Sequence, residues 1–442
     1  MHAASIHVSL HTVLRINLGG IEMNSIFNSA SLILTEKCNL SCKYCFECYE
    51  RNMGPDMSEE VVIRSIDFLF EQAKLMQDKK CVNITLFGGE PFLKPKLCDF
   101  IINYGVKKRE ETGIQFTANV ITNGTIMSDE IELLIRRWRN KINFSIQVSI
   151  DGCQEAQDLY RVKKDGSSSF DMVAKNIPVF NDIDPNFCLH GCLNKLTLPL
   201  LFKSYKFFVE EFKHKTNIWF MPIHSEEWDE TDVKIYDEQL RQIFEFETGI
   251  LKTVSSFIPI DKLLSSGGCR SHPNRTCGAG TSYISITGNG DIYPCHNFYF
   301  SKEAASEDYK LGNIFDTTPI TNEEILQKFT NCCVATSTCH DCENVACYRC
   351  LADNWRFGGD INTQIGKTTT RCKLSSVEHK WQLKAVEWAN KNAIDRKTKE
   401  FLNNTQKNGD MAFVLKQMAE GLNDLNTRLL RLEHHEAGLS PT

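Results

Sequence analysis

From residue 29 onward, short apolar runs alternate with segments whose apolar residues recur at helical spacing. Strand-like runs are predicted at Ser31–Thr35, Val82–Phe87, Phe116–Thr122, Phe144–Ile150, Phe187–Leu193 and Ile218–Met221. Between the first two, Ser58–Met76 reads as an amphipathic helix. Ser58 suits an N-cap, Glu59 and Glu60 fall in the first turn, and Val62, Ile66 and Leu69 share one face. Strands alternating with helices predict βαβ units and a parallel sheet. This α/β part covers residues 29–221, after an N-terminal extension, 1–28, in which Met23 is a second candidate start beside Met1. Residues 222–268 read as a connector with a helix around Asp232–Phe246, 269–375 as a cysteine-rich, turn-rich domain, and 376–442 as a helical tail. In the tail, Met411, Leu415, Met418, Leu422, Leu425, Leu429 and Leu432 are spaced 4, 3, 4, 3, 4, 3. Such a heptad stripe either docks on its own domain or builds a short coiled coil. The strict spacing favours the coiled coil, and with it a homo-oligomer through residues 411–432.

Length and charge narrow the picture further. A chain of 442 residues accommodates two or three domains with a substantial core. A net charge of −6 argues against nucleic acid as a partner. No apolar stretch reaches the roughly 18 residues a membrane helix needs. His2, His7 and His11 interrupt a start without the basic-then-apolar layout of a signal peptide. A cytoplasmic location, away from membrane and nucleic acid, is expected. Nineteen cysteines, an odd number gathered in close pairs, point to metal or cluster binding rather than to disulfides.

The densest chemistry lies in Glu36-Lys37-Cys38-Asn39-Leu40-Ser41-Cys42-Lys43-Tyr44-Cys45-Phe46. Three thiolates in one loop hold three irons of a cubane and leave the fourth open to a small molecule; a zinc knot is the plain alternative. Gly88-Gly89-Glu90-Pro91 closes the second predicted strand, Thr122-Asn123-Gly124 the third, and Ser149-Ile150-Asp151-Gly152 the fourth. Taken alone, each of these is an ordinary turn former. Eight further cysteines follow: Cys269, Cys277 and Cys295, then Cys339, Cys342, Cys347 and Cys350 in close succession, then Cys372. Paired zinc sites also suit such spacing.

With the C-x3-C-x2-C loop, the aromatic residue before its last cysteine and the Gly-Gly-Glu-Pro turn, the chain resembles the radical S-adenosylmethionine (radical SAM) enzymes. The eight later cysteines are similar to the SPASM extension of that family. The resemblance implies a partial (β/α)6 barrel with its chemistry at the C-terminal strand ends. A SPASM domain and the helical tail would follow it. It implies a 4Fe–4S cluster on Cys38, Cys42 and Cys45, with S-adenosyl-L-methionine on the open iron. Gly88, Gly89 and Glu90 would receive the methionyl ammonium. Asn123 and Ser149 would lie near the ribose and carboxylate, and Arg161 would offer a guanidinium fork. Reductive cleavage would release a 5′-deoxyadenosyl radical that abstracts hydrogen. Two auxiliary 4Fe–4S clusters would bring the total to three: an inner one on Cys269, Cys277, Cys295 and Cys350, an outer one on Cys339, Cys342, Cys347 and Cys372. The last two gaps of this run are each one residue shorter than the family's, which leaves the assignment between Cys347 and Cys350 open. Most other cysteines read as small buried apolar residues; Cys48, Cys332 and Cys333 stand out as spare ligands or redox-active thiols.

The same resemblance implies a peptide or protein substrate that acquires a cross-link, thioether, carbon–carbon bond or epimerised centre. The alternatives are formylglycine formation as in anaerobic sulfatase maturases, small-molecule dehydrogenation, and a non-catalytic iron–sulfur electron carrier. In the sulfatase maturases an Asp base follows the third inner-cluster cysteine; here that position is His296. Its imidazole either accepts a proton or packs beside the cluster. The expected partners are a reductant such as flavodoxin or ferredoxin and a separate leader-recognition protein, since the stretch before Cys38 is short for a leader-binding domain. Nothing in the predicted barrel-mouth loops spells out the substrate.

Overall fold

The computed structural model describes residues 25–47, 54–77, 80–223, 226–254, 278–300, 306–330, 350–358, Ile361 and 370–408. All six predicted runs are strands: β1 (Ser29–Thr35), β2 (Cys81–Gly88), β3 (Gln115–Thr122), β4 (Asn143–Ser149), β5 (Cys188–Leu193) and β6 (Ile218–Pro222). Between them lie α1 (Glu59–Lys74), α2 (Pro95–Thr112), α3 (Asp129–Lys141), the short α4 (Gln154–Tyr160), α5 (Phe170–Ala174) and α6 (Ile177–Ile183), and α7 (Leu201–Glu210). α1 starts where its sequence says it should. The Ser58 hydroxyl accepts the Val61 amide proton at 3.3 Å, and Val62, Ile66 and Leu69 are fully buried.

The sheet order is β6-β5-β4-β3-β2-β1, continued by β7 (Tyr283–Ile286), β8 (Asp291–Tyr293) and β9 (Gly312–Asn313). From β1 to β6 each strand is added beside its predecessor on the same side. Right-handed crossovers then put the connecting helices on one face and leave the other without helices. The strands record this asymmetry. On β2, Val82, Ile84 and Leu86 are fully buried, while Asn83 and Thr85 alternate with them and are half-exposed. β3 sets Phe116, Ala118 and Val120 against Thr117 and Asn119, and β4 sets Phe144, Ile146 and Val148 against Ser145, Gln147 and Ser149. The apolar sides and the helices form one continuous core. It includes the fully buried Trp138 of α3, whose indole N–H donates to Asp99 at 2.8 Å.

The sequence pattern places the cysteine-rich region after the barrel as a separate domain. In the structure its first strands belong to the same sheet. β7 runs parallel to β1, with Ser31 opposite Ser285, and β8 and β9 extend the sheet in antiparallel fashion. Downstream lie α9 (His296–Tyr299), α10 (Glu323–Thr330), α11 (Leu351–Gly358) and α12 (Thr370–Asn408); the connector helix is α8 (Glu230–Phe246). Cys372 therefore sits in the first turn of the long last helix. Tyr236 and Asp237 of α8 fasten that helix through Glu378 at 2.7 Å and the Trp381 indole at 2.7 Å. The chain divides into two compact units, Met1–Gln382 and Leu383–Thr442. The heptad stripe at 411–432 and both candidate start methionines lie outside the described residues. Among the described residues no helix is long and apolar enough to cross a membrane.

Trp138→Ala removes the largest wholly buried ring among the described residues and one of two donors to Asp99, and is expected to cost about 3–5 kcal/mol. Chemical denaturation of the variant beside the wild type checks this; a loss under ~1 kcal/mol would mean that α3 contributes little to the core.

Candidate functional site

The cysteine loop leaves β1 at Thr35 and is held by backbone pairing to the segment after α4. The Ser41 amide donates to Val162 at 2.8 Å, Lys43 to Tyr160 at 3.0 Å, and the Cys45 amide turns back onto Cys42 at 3.0 Å. Cys38 is buried, and its sulfur accepts from the Leu40 amide at 3.4 Å and the Asn123 side chain at 3.6 Å. Burial pushes the Cys42 thiol up to about 11, against the pull of the neighbouring Arg161 cation. Burial also lifts Cys45 to about 12, with the Glu47 carboxylate adding to the rise. Thiols in this setting keep their protons until a cation takes the sulfur.

Gly88-Gly89-Glu90 locks this loop to the sheet. The Gly89 amide donates to Thr35 at 2.8 Å and the Glu90 amide to Lys37 at 3.0 Å. A Cβ at Gly88, whose φ is +123°, would stand 2.2 Å from the Thr35 carbonyl oxygen, and one at Gly89 2.3 Å from that of Lys37. Only glycine admits this approach. The Glu90 carboxylate has no exposed surface. It accepts from the Phe92 amide at 3.0 Å, the Thr122 hydroxyl at 2.8 Å and the Asn123 amide at 2.8 Å. Burial lifts it to about 7, opposed by those three donors. The Asn123 side chain donates to Asn39 at 2.8 Å. Glu90, expected to meet a ligand's ammonium, has a carboxylate engaged by protein donors, and Asn123 points back at the loop.

A second cluster braces the loop from β4 and β5. Asp151 accepts from the Tyr44 hydroxyl at 2.5 Å, Arg161 Nε at 2.8 Å and the Cys192 amide at 2.9 Å. Arg161 also lies over the Tyr44 ring at 5.4 Å and reaches the Cys192 sulfur at 3.8 Å. The Arg161 fork, expected to face a ligand carboxylate, thus already has the internal carboxylate of Asp151. Ser149 ends β4 opposite His190 of β5, and its hydroxyl makes no hydrogen bond with a described residue. Tyr44, Asp151 and Cys192 escaped the sequence reading as site residues. The aromatic position before Cys45 was the one signal present for Tyr44, and nothing local in Cys192 announces its neighbours.

The second cysteine region reaches the first through aromatic contacts. His296, which follows Cys295, packs against Phe87 at 4.5 Å and Phe46 at 5.7 Å with the rings tilted by 34° in each pair, and its Nδ1 lies 3.3 Å from the Tyr283 hydroxyl. Burial holds this imidazole down to about 4, so it is neutral. The Tyr299 hydroxyl donates to Glu36, two residues before Cys38. Phe298 packs on Tyr309, Phe329 and Trp355, which joins α9, after Cys295, to α11, after Cys350. Cys269, Cys277, Cys339, Cys342 and Cys347, with Cys48, Cys332 and Cys333, lie outside the described residues.

One buried and two half-buried thiols on one loop, two donors aimed at Cys38, and a glycine pair pressed against the loop's base suit a cluster held at three corners. Residues 32–190 match the radical SAM superfamily and residues 277–356 the SPASM iron–sulfur cluster-binding domain. The chain belongs to the radical SAM enzymes and carries a SPASM domain. Members take S-adenosylmethionine and a 4Fe–4S cluster, and the SPASM segment brings auxiliary iron–sulfur binding. The chain is 26% identical over 350 residues to a cysteine-type anaerobic sulfatase-maturating enzyme of Clostridium novyi (strain NT), covering 73% of this chain and 83% of that protein. It is 26% identical over 296 residues to the antilisterial bacteriocin subtilosin biosynthesis protein AlbA of Bacillus subtilis (strain 168), covering 65% and 57%. A solved structure of native anSMEcpe with bound AdoMet and Kp18Cys peptide superposes with a TM-score of 0.58 at 20% identity, covering 83% of this chain and 98% of that one.

Glu90 supplies a pH test. Its folded value of about 7 lies above its ordinary 4.5, so the proton favours the folded state. The stability this group contributes is complete below 4.5 and is lost as pH rises through about 7. Glu90→Gln should remove that slope from denaturation midpoints recorded across the interval; parallel slopes in both proteins would refute the assignment.

Proposed function

We propose that this chain modifies a peptide or protein: it takes a hydrogen atom from a peptide carbon, and the substrate then forms a cross-link, a thioether or a carbon–carbon bond, or is epimerised. The observation that carries this reading is the direct joining of the two cysteine regions, with His296 packed against both Phe87 and Phe46. A substrate radical at the strand ends would thus have an electron acceptor in the same site. When bound, the cluster and S-adenosylmethionine supply hydrogen-atom abstraction.

The chain's own residues hold and shield these groups. Cys38, Cys42 and Cys45 take three irons. Gly88 and Gly89 set the depth of the loop, and Glu90 and Asn123 fix its base. Ser149 offers a hydroxyl at the end of β4, and Asp151 with Arg161 forms the wall behind Tyr44. We assign Cys269, Cys277, Cys295 and Cys350 to an inner auxiliary cluster and Cys339, Cys342, Cys347 and Cys372 to an outer one, three clusters in all. We assign His296, packed against two rings and made a weak base by burial, to positioning the Cys295 segment rather than abstracting a proton. The partners we assign are a peptide substrate and a low-potential reductant such as flavodoxin or ferredoxin, in the cytoplasm. The kinship with a bacteriocin biosynthesis protein supports a peptide substrate. Sulfatase maturation is the second reading, supported by the coverage of the Clostridium novyi relative, with His296 in the place of that branch's Asp counting against it.

Anaerobically reconstituted protein given S-adenosylmethionine and a reductant should release 5′-deoxyadenosine, and Cys42→Ala should abolish that release. A co-expressed peptide from a neighbouring reading frame should lose two hydrogens on cross-linking and keep its mass on epimerisation; an aldehyde would mark sulfatase-type maturation. Cys339→Ala should retain some cofactor cleavage and slow peptide turnover by about tenfold or more. Wild-type turnover in that variant would refute the electron-acceptor role, and absence of 5′-deoxyadenosine from the wild type would refute the whole reading.

A further inference from the structure

Away from its C-terminal edge, where Ile33, Phe87 and Ile121 gather with Phe300, the helix-free face of the sheet is polar, and contacts among its own side chains use only part of that polarity. Near the N-terminal strand ends its side chains bond one another: Ser29 donates to Asn83 at 3.4 Å, Asn83 to Thr117 at 2.8 Å, and Thr85 to Asn119 at 2.9 Å. Further across, the bonding stops. The Asn119 amide N–H groups, the Ser145 hydroxyl and the Gln147 amide make no hydrogen bond with a described residue. Asn119 lies opposite Ser145, and Gln147 opposite Ile121, so the open groups form one patch on β3 and β4. Asn119 and Gln147 are half-buried, so their unbonded amide groups stay open to an incoming ligand.

This face also lacks charge. On β1 to β4 none of its alternating positions is Asp, Glu, Lys or Arg. Of the ionic groups at the strand ends, Asp151 and Arg161 are paired with each other at 2.8 Å, while Glu36 accepts from Tyr299 and Glu90 from Phe92, Thr122 and Asn123. A lysine or glutamate side chain entering here would shed water and gain no counter-ion. A peptide bond, by contrast, carries the donor and acceptor that an Asn or Gln amide matches.

We infer that this face is the specificity surface of the enzyme and selects an uncharged, hydrogen-bonding peptide segment. Asn119 and Gln147 engage its backbone amides, and the absence of counter-ions excludes Asp, Glu, Lys and Arg from that stretch. The inference rests on the peptide-modifying reading and adds the chemical class of the segment.

Cluster-loaded wild-type protein with S-adenosylmethionine is panned against random peptides displayed on phage. The recovered peptides should share a stretch depleted about tenfold in Asp, Glu, Lys and Arg relative to the input pool. Asn119→Asp keeps the acceptor used by Thr85, and Gln147→Glu is nearly isosteric; each should raise Lys and Arg in that stretch about tenfold. Iron and sulfide content reports whether each variant has kept its fold, and a variant that loses its clusters leaves the decision to the wild-type pool. A shared stretch rich in charge, the same recovered pool from folded variants and wild type, or no enrichment by the wild type would overturn the inference. Release of 5′-deoxyadenosine and the peptide mass change are scored apart from the panning. A modified peptide alongside a charged pool therefore sinks the specificity surface alone, whereas no cofactor cleavage sinks the functional reading.

Discussion

A carboxylate with no exposed surface governs the geometry of the site. Glu90 follows β2, and the donors on its oxygens come from Phe92, just beyond it, and from Thr122 and Asn123 at the end of β3. Leaving any of them unpaired in so dry a place costs much more than in water. The ends of β2 and β3 are thus fixed to each other, and the Gly88–Gly89 contact with Thr35 and Lys37 carries that fixity to the end of β1. Three successive strand ends become one rigid base, and the three thiols stand on it.

The same bonds explain why the loop needs little structure of its own. Its backbone borrows partners from Tyr160 and Val162, and Tyr44 spans the gap to Asp151. A ligating loop held this way presents its sulfurs without a search through loop conformations. That lowers the ordering cost of binding a cluster.

Much of the architecture was legible in the chain. Alternation along Val82–Phe87 and Phe116–Thr122, with helical spacing between, dictates parallel strands. The cysteine spacing points to a cluster because few other groups want three thiolates in one turn. What stayed hidden were contacts between residues distant in sequence. Asp151 sits in a plain Asp-Gly turn, and Cys192 sits in an alternating strand, so neither advertises the Tyr44 and Arg161 that surround it. The Glu90 and Arg161 side chains were expected to face a ligand. The Thr122 and Asn123 partners of Glu90, 32 and 33 positions away, become visible only when β2 and β3 are set side by side. The Asp151 partner of Arg161, ten positions away, becomes visible only when the turn after β4 and the segment after α4 meet. The joining of β7 to β1 is of the same kind, since a four-residue strand in turn-rich sequence carries no sign of its neighbour.

That last pairing has a bearing on how the molecule is made. β1 becomes an interior strand only when β7 lies beside it, and the residues they match, Ser31 and Ser285, are 254 positions apart. On a ribosome, β1 to β6 emerge and can associate while one flank of β1 still shows its amides and carbonyls to solvent. An exposed strand edge of this kind invites pairing with other nascent chains. The iron-bearing C-terminal region therefore serves as the closing piece of the sheet, and synthesis that stalls before residue 283 would leave an aggregation-prone half-product.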